Sequence, residues 1–117
     1  MSIQNISNEL VSLLSNKQFV EVQKTFFDND VISLEPMAHP NPKTEGLAAI
    51  LKKEMELMSA IAHWHKLEIS SPVVAGYHFC ISMDAHFTLK NGREITIDEL
   101  IVYTVKGHKI VMEQFFY

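Results

Sequence analysis

The spacing of apolar residues changes from a helical period to a strand period near the middle of the chain, and this change limits the available folds. In the first half, apolar side chains recur at steps of three and four residues, as they do along one face of a helix. From Trp64 onward the sequence is rich in β-branched and aromatic residues that are punctuated by turn-forming pairs. The pattern predicts an α+β domain, in which helices cover one face of a curved antiparallel sheet.

We expect three helices in the first half of the chain. The first is predicted over residues Ile3–Ser15, and a second, shorter helix begins near Phe19 and is ended by Asn29-Asp30. Three prolines in the following stretch predict a loop. Thr44 is the expected N-cap of the third helix, which we expect to continue to about Ala62.

Length and composition restrict the class of protein. A chain of 117 residues has room for one domain, residues 1–117. The apolar fraction of 47% argues against disorder. The net charge of −4 argues against a basic surface that binds nucleic acid. A single cysteine, Cys80, excludes an internal disulfide framework. Because there is neither a signal-peptide pattern nor an apolar run of about 20 residues, we expect a cytoplasmic protein without a membrane partner.

Two turn signals determine the expected pairing of the last three strands. If Asn91-Gly92 forms a two-residue hairpin loop, Asp98 lies opposite Ala85. If Gly107-His108 forms a second loop of the same length, Asp98 also lies opposite Tyr117. A one-residue bulge in either hairpin would move these side chains to the other face of the sheet.

This pairing predicts an apolar sheet face that carries two acids, Asp98 and Glu113. Burial raises the pKa of a carboxyl, so such an acid stays protonated or acts as a base near neutral pH, unless it reaches solvent at a strand end. The opposite face would carry Ile101, Tyr103 and Phe116, enough apolar surface to predict a homodimer. The apolar residues expected on the inner face are Phe79, Ile81, Met83, Ala85, Phe87, Leu100, Val102, Phe115 and Tyr117.

The order helix–helix–strand–helix–meander resembles the nuclear transport factor 2-like superfamily, which includes ketosteroid isomerase, scytalone dehydratase and the SnoaL-like polyketide cyclases. Residues 27–36 resemble the acidic turn, first strand and acid–proline step of that superfamily. Residues 109–117 resemble the closing strand of small bacterial SnoaL-like proteins. The resemblance covers nearly the whole chain, and it implies a cone-shaped, cystatin-like roll around an apolar pocket and dimers formed through the outer sheet face.

The resemblance also implies roles for individual residues. Glu35, directly before Pro36, matches the general base of the isomerase, and Asp98 matches its oxyanion-hole acid. The isomerase takes a tyrosine donor from its first helix, which has no tyrosine here, and Tyr117 is our substitute from another element. His65 is a further acid–base candidate. Its direction stays open, since a tight turn after Ala75 would point it outward and a bulge near Pro72 inward.

Three functions are compatible with these patterns. The first is cofactor-free proton transfer on a small hydrophobic carbonyl compound by an isomerase, cyclase or dehydratase, with Glu35 as base, Asp98 as donor, and Tyr117 or His65 assisting. The second is a non-catalytic module that binds a small hydrophobic ligand, and the third is an interaction domain with a collapsed pocket. The spacing of the six histidines predicts no metal site, and no glycine-rich loop predicts a nucleotide. Expected ligand-binding residues are Met83, Phe87, Leu100, Val102, Glu113 and Phe115.

Overall fold

A computed structural model describes all 117 residues, and its helices follow the apolar periodicity of the sequence. The first helix has the predicted bounds, and the third ends two residues before the predicted end. The second begins at Phe19 as predicted but ends at Phe26, because Asn29-Asp30 already lie in the first strand. No helix has both the length and the apolar character needed to cross a membrane. The elements are α1 (Ile3–Ser15), α2 (Phe19–Phe26), β1 (Phe27–Leu34), β2 (Lys43–Glu45), α3 (Leu47–Ala60), β3 (Ile61–Ile69), β4 (Val73–Ala75), β5 (His78–Leu89), β6 (Glu94–Lys106) and β7 (Lys109–Phe116).

The seven strands form one curved, unclosed sheet in the order β2-β1-β7-β6-β5-β3, with β4 paired to β5. The pairs β3–β5, β5–β6 and β6–β7 are antiparallel, as predicted for the second half of the chain. Strand β1 runs parallel to β7, which makes the sheet mixed. The α+β prediction is therefore confirmed, with one parallel pair that connects the helical half of the chain to the meander.

The helices pack their apolar faces against the inner face of the sheet. Leu10 of α1, Val31 of β1 and Ile110 of β7 are completely buried in this core. Trp64 of β3 stacks on Phe19 of α2, with ring centroids 5.6 Å apart. Since propensity alone rarely stabilises helices this short, burial of these faces is the main source of their stability.

Thr44 does not cap α3, so that prediction is wrong. The residue lies in β2, opposite Ser33 of β1. The position before α3 is Gly46, which has a φ of +89° and no side-chain cap. Its backbone N–H donates to the carbonyl of Val31 over 2.8 Å. Gly46 therefore lets the chain turn from β2 into α3, because glycine adopts a positive φ without strain.

The β5–β6 loop is one residue longer than predicted. Leu89 N–H donates to the carbonyl of Arg93 over 2.8 Å, so the loop is Lys90–Gly92. Gly92 has a φ of +88°, as expected for the last position of a three-residue hairpin loop. The pairing is therefore shifted by one residue, and Asp98 lies opposite Asp84 instead of Ala85.

The β6–β7 loop has the predicted length, but the ladder beyond it is irregular. Gly107 and His108 both have positive φ, and Lys106 lies opposite Lys109. The register then shifts between Thr104 and Val105, and a bulge of this kind inserts one residue into β7. Tyr103, instead of Val102, consequently lies opposite Glu113.

These two register shifts reverse which side chains of β6 face the core and which face outward. Ile101 and Tyr103, predicted outside, are buried on the inner face. Asp98, Leu100 and Val102, predicted inside, have the opposite strand parity and lie on the outer face. The predicted inner residues of β5 and β7 keep their face, because each strand on its own alternates as expected.

Replacing Leu10 with alanine is expected to lower the free energy of unfolding by about 2–5 kcal/mol, because the side chain is fully buried between α1 and the sheet. Leu57→Ala in α3 is the matched control, since Leu57 is 37% exposed. The control is expected to lower it by less than about 1 kcal/mol. Urea unfolding followed by circular dichroism measures both, and equal losses would contradict the described core.

Candidate functional site

A cavity of about 660 Å³ lies between the helices and the inner face of the sheet. Its volume is in the range of pockets that hold small organic ligands, roughly 300–1,000 Å³. Fifteen of its 25 lining residues are hydrophobic, so an apolar ligand body would fit. Trp64 and Phe87 form one wall, with ring centroids 5.0 Å apart. The charged lining residues are the acids Glu35, Glu54, Asp98, Glu99 and Glu113 and a single base, Lys53.

A buried polar row crosses three strands on the cavity wall. Glu113 of β7 is the register partner of Ser33 on one side and of Tyr103 on the other. All three residues are at most 6% exposed. The Ser33 hydroxyl donates to Oε1 of Glu113 over 2.9 Å. On the far side, the Tyr103 ring stacks on Phe79 of β5 at 4.8 Å.

Burial raises the pKa of the Glu113 carboxyl from 4.5 to about 8. The hydrogen bond from Ser33 lowers this pKa, whereas the nearby charges of Glu54 and Glu35 raise it. Desolvation dominates because an ionised carboxylate loses its hydration in the core. Glu113 is therefore mainly a neutral carboxylic acid at pH 7, able to donate a proton or a hydrogen bond. Burial also raises the pKa of the neighbouring Tyr103 phenol well above its ordinary value.

Two further carboxyls have pKa values near neutrality. Burial raises the pKa of Glu54, on α3, to about 7, although the charge of Lys53 lowers it. Burial also raises the pKa of Glu99, on β6, to about 7, and the charges of Glu35 and Glu54 add to the shift. The cavity thus contains acids that exchange protons readily at physiological pH.

Glu35 lies where β1 ends and is the most polar contact point of the cavity mouth. Its Oε2 accepts a hydrogen bond of 2.9 Å from the Tyr117 hydroxyl, and its Oε1 lies 3.9 Å from Nζ of Lys53. The Glu35 side chain is 15% exposed. Desolvation and this hydrogen bond raise the pKa of Tyr117 to about 12, so Tyr117 remains a donor. The C-terminal residue therefore orients the Glu35 carboxylate.

Gln23 of α2 contributes an acceptor without a partner. The residue is only 7% exposed and lines the cavity. Its Oε1 is buried and accepts no hydrogen bond from the protein. An unsatisfied buried acceptor is unfavourable by about 1–3 kcal/mol. A ligand that presents a hydroxyl or N–H group at this point would remove that penalty.

The structure brings several predicted site residues together on the cavity wall. Met83, Phe87, Glu113 and Phe115 line the cavity, together with Glu35 and Tyr117. The predicted pairing of Tyr117 with Asp98 is wrong, because the β6–β7 ladder is displaced by one residue and places Leu100 opposite Phe116. The Tyr117 hydroxyl bonds Glu35.

Three predicted residues lie on the wrong face for the roles expected of them. Asp98 is exposed at the cavity rim beside Asp84, and Leu100 is 42% exposed. Val102 lies on the same outer face, opposite Cys80 and Gln114. The reason in each case is the one-residue change of register in β6.

His65 is exposed and does not line the cavity. The register of β3 shifts between Trp64 and Lys66, so His65 sits at a bulge. Trp64 packs inward on this strand, while His65 bonds Thr88 of β5 over 2.6 Å. The outward alternative left open by the sequence is therefore the correct one, although its cause is a bulge within β3.

Sequence reasoning missed Gln23, Ser33, Glu54, Glu99 and Tyr103 as cavity residues. Gln23 could have been found, because it follows Phe19 by four residues and so shares the apolar face of α2. Glu99 and Tyr103 required the correct β6 register. For Ser33 and Glu54 no spacing or motif in the sequence distinguishes them from ordinary strand and helix residues.

Solved structures share this architecture. A candidate SnoaL-like polyketide cyclase from Mesorhizobium loti is 28% identical, with a TM-score of 0.90 and full coverage of both chains. TerC, co-crystallised with polyporic acid, is 16% identical with a TM-score of 0.73, covering 97% of this chain and 91% of TerC. A ketosteroid isomerase-like protein from Catenulispora acidiphila, in complex with trimethylamine, is 16% identical with a TM-score of 0.72, covering 96% and 84%.

No curated protein sequence matches the chain. The sequence model of the SnoaL-like domain, in contrast, matches residues 1–117. The structural likenesses agree with that match, since the neighbours are SnoaL-like, nuclear transport factor 2-like and ketosteroid isomerase-like proteins. The chain therefore belongs to the SnoaL-like domain family.

Proposed function

We propose that the cavity binds a small hydrophobic carbonyl compound and transfers a proton at the carbon next to its carbonyl group, without a cofactor. The observation that carries this proposal is the presence, in one apolar cavity, of a hydrogen-bonded carboxylate at the mouth and a neutral carboxylic acid at the buried end. Carboxyl groups in such different environments are suited to opposite roles, one as base and the other as acid.

Glu35 is the proposed base. Tyr117 donates to one of its oxygens and Nζ of Lys53 lies 3.9 Å from the other, so two neighbours orient the Glu35 side chain. Its position at the mouth leaves the deeper cavity for the substrate. A proton removed from carbon by this carboxylate leaves an enolate, whose negative oxygen needs a donor.

Glu113 is the proposed donor to that oxygen. Oε1 of Glu113 accepts the hydrogen bond from Ser33, so the proton of the neutral acid can lie on Oε2. With a pKa of about 8, Glu113 holds this proton at pH 7 but is acidic enough to share it with an enolate. Glu99, with a pKa of about 7, is a second candidate on the same wall.

The substrate class follows from the lining. Aromatic and aliphatic walls favour a cyclic or aromatic body, and Gln23 favours a ligand hydroxyl. The Mesorhizobium loti neighbour, a candidate polyketide cyclase, supports chemistry at carbonyl groups, and the co-crystallisation of TerC, a protein of this fold, with polyporic acid supports an organic ligand. Isomerisation and ring closure share the enolate step, so both reactions fall within the proposal.

The proposal predicts that the protein exchanges the acidic carbon-bound protons of β-tetralone with deuterium, as measured by NMR. Glu35→Gln is expected to slow this exchange by about 10²- to 10⁴-fold, because the base is removed. Tyr117→Phe is expected to slow it less, since the carboxylate stays but loses its orienting donor. Glu99→Gln tests the second acid.

Glu68→Gln is the matched control for Glu99→Gln, because Glu68 is an exposed strand acid on β3 that does not line the cavity. Its exchange rate is expected to stay close to that of the unmodified protein. If Glu35→Gln retained full exchange, Glu35 would not be the base. If a ketone raised the melting temperature but never exchanged, the cavity would be a binding module without catalysis.

The buried Glu113 carboxyl also predicts how stability depends on pH. Its pKa of about 8 in the folded protein lies above the ordinary 4.5, so unfolding between these pH values releases a proton. The stabilisation that the neutral acid provides is complete below pH 4.5 and is lost as pH rises to about 8. Glu113→Gln avoids this loss, and its stability relative to the unmodified protein is expected to rise over that interval by up to about 5 kcal/mol.

Urea unfolding at several pH values between 4.5 and 8 measures this difference. Glu56→Gln is the control, because Glu56 is exposed on α3. Parallel pH profiles for Glu113→Gln and the unmodified protein would show that Glu113 is not held in its neutral form.

We further propose that the chain forms a homodimer through the part of the outer sheet face around Leu100 and Phe116, on β6 and β7. The surface differs from the predicted one: Leu100 and Phe116 lie opposite each other there and are 42% and 46% exposed. The same face of a second copy would cover them. The cytoplasmic location expected from the sequence stays a prediction.

Light scattering during size exclusion is expected to give twice the 13.4 kDa chain mass. Leu100→Glu is expected to shift the mass toward 13.4 kDa, because it introduces a charge into the interface. Met37→Glu, at an 88% exposed loop position, is expected to leave the dimer intact. A monomeric unmodified protein would remove the proposal.

A further inference from the structure

Two histidines and a glutamate converge on the outer face of the sheet, away from the cavity. The metal-binding atoms of His65, His86 and Glu94 all lie within 4.8 Å of one another. The imidazole rings of His65 and His86 are 4.6 Å apart, and Nε2 of His86 is 3.3 Å from Oε1 of Glu94. The sequence predicted no metal site, because these residues have no recognisable spacing along the chain.

Strand pairing creates the cluster from three adjacent strands. His86 lies on β5, between His65 on β3 and Glu94 on β6. Glu94 is the partner of Thr88, so it is a diagonal neighbour of His86. On the other side, the shift of the β3 register leaves His65 at a bulge beside Lys66, the partner of His86. Without this bulge the alternation after Trp64 would be regular, and Lys66 would point inward.

A neighbouring hydroxyl holds one of the two rings. Nε2 of His65 is 2.6 Å from Oγ1 of Thr88, which leaves Nδ1 as the ring nitrogen available to an ion. Metal-bound histidines commonly have their second nitrogen fixed by such an outer hydrogen bond. The neighbouring Lys66 does not bind the Glu94 carboxylate. Its Nζ lies 2.7 Å from Oδ2 of Asp84 and forms a salt bridge there.

We propose that His65, His86 and Glu94 bind a divalent transition-metal ion of the zinc class. Imidazole nitrogens and a carboxylate oxygen suit zinc, copper, nickel and iron, whereas magnesium and calcium prefer oxygen ligands alone. Zinc bonds of about 2.0–2.1 Å bring ligand atoms to about 3.3 Å from one another in a tetrahedron. The His86–Glu94 distance already has this value, and small side-chain rotations of His86 and the exposed Glu94 toward Nδ1 of His65 close the remainder while the His65–Thr88 bond stays in place.

Three protein ligands leave the fourth tetrahedral position to water. The ion would therefore be exchangeable and exposed on the outer face, and it would connect β3, β5 and β6. Trp64 and Phe87 are sequence neighbours of His65 and His86 on the cavity side. The proposed ion and the cavity ligand thus bind on opposite faces of the same strands, and this proposal is independent of the proton-transfer function.

Titration of the metal-free 117-residue chain with Co²⁺ and then Zn²⁺ tests the proposal. The expected result is a visible absorption band of tetrahedral Co²⁺ at one ion per chain, which micromolar Zn²⁺ abolishes. His65→Ala, His86→Ala and Glu94→Gln are each expected to weaken Zn²⁺ binding at least about ten-fold, because each removes one of three ligands. Isothermal titration calorimetry provides the affinities.

His78→Ala is the matched control, because His78 is an exposed histidine at the other end of β5. It is expected to bind Zn²⁺ as the unmodified protein does, and circular dichroism verifies the fold of every variant. Binding that requires millimolar Zn²⁺, or an affinity that Glu94→Gln and His86→Ala leave unchanged, would overturn the site.

Discussion

The pairing of β6 with β5 and β7 determines the chemistry of the cavity, because it selects which side chains of β6 face inward. In the observed register Glu99, Ile101 and Tyr103 face the helices. A shift of one residue would replace them with their neighbours and leave Glu113 without Tyr103 beside it. Two local features maintain the register, the positive φ of Gly92 in the β5–β6 loop and the bulge early in β7.

The carboxyl groups of the cavity influence one another's protonation, and this interaction links the two ends of the cavity. The charge of Glu35 raises the pKa values of both Glu113 and Glu99. When Glu35 accepts a proton, this repulsion disappears and Glu113 releases its proton more readily. In the proposed mechanism, uptake at the mouth would therefore favour release at the buried end, as protonation after enolate formation requires. The charge of Lys53, the one basic lining residue, lowers the pKa of both Glu113 and Glu54.

The sequence was sufficient for the elements and insufficient for their alignment. Apolar periodicity located α1 and α2, because a helical face is a local property of consecutive residues. The faces of β5 could be read from alternation for the same reason. The face of β6 could not, since it depends on whether the loop after Leu89 has two or three residues, and Asn91-Gly92 is compatible with both. The error then moved Asp98 inward and Glu99 outward.

Bulges explain two further departures from regular alternation. The bulge in β7 turns Glu113 toward Tyr103, and the bulge in β3 turns Lys66 outward beside His86, while Trp64 remains in the core. An uninterrupted strand alternates strictly, so each such extra residue changes what the strand presents to both faces at once. Irregular pairing in β7 therefore places the acid Glu113 in the cavity, whereas His65 and His86 lie on the outer face because they alternate with the inward Trp64 and Phe87.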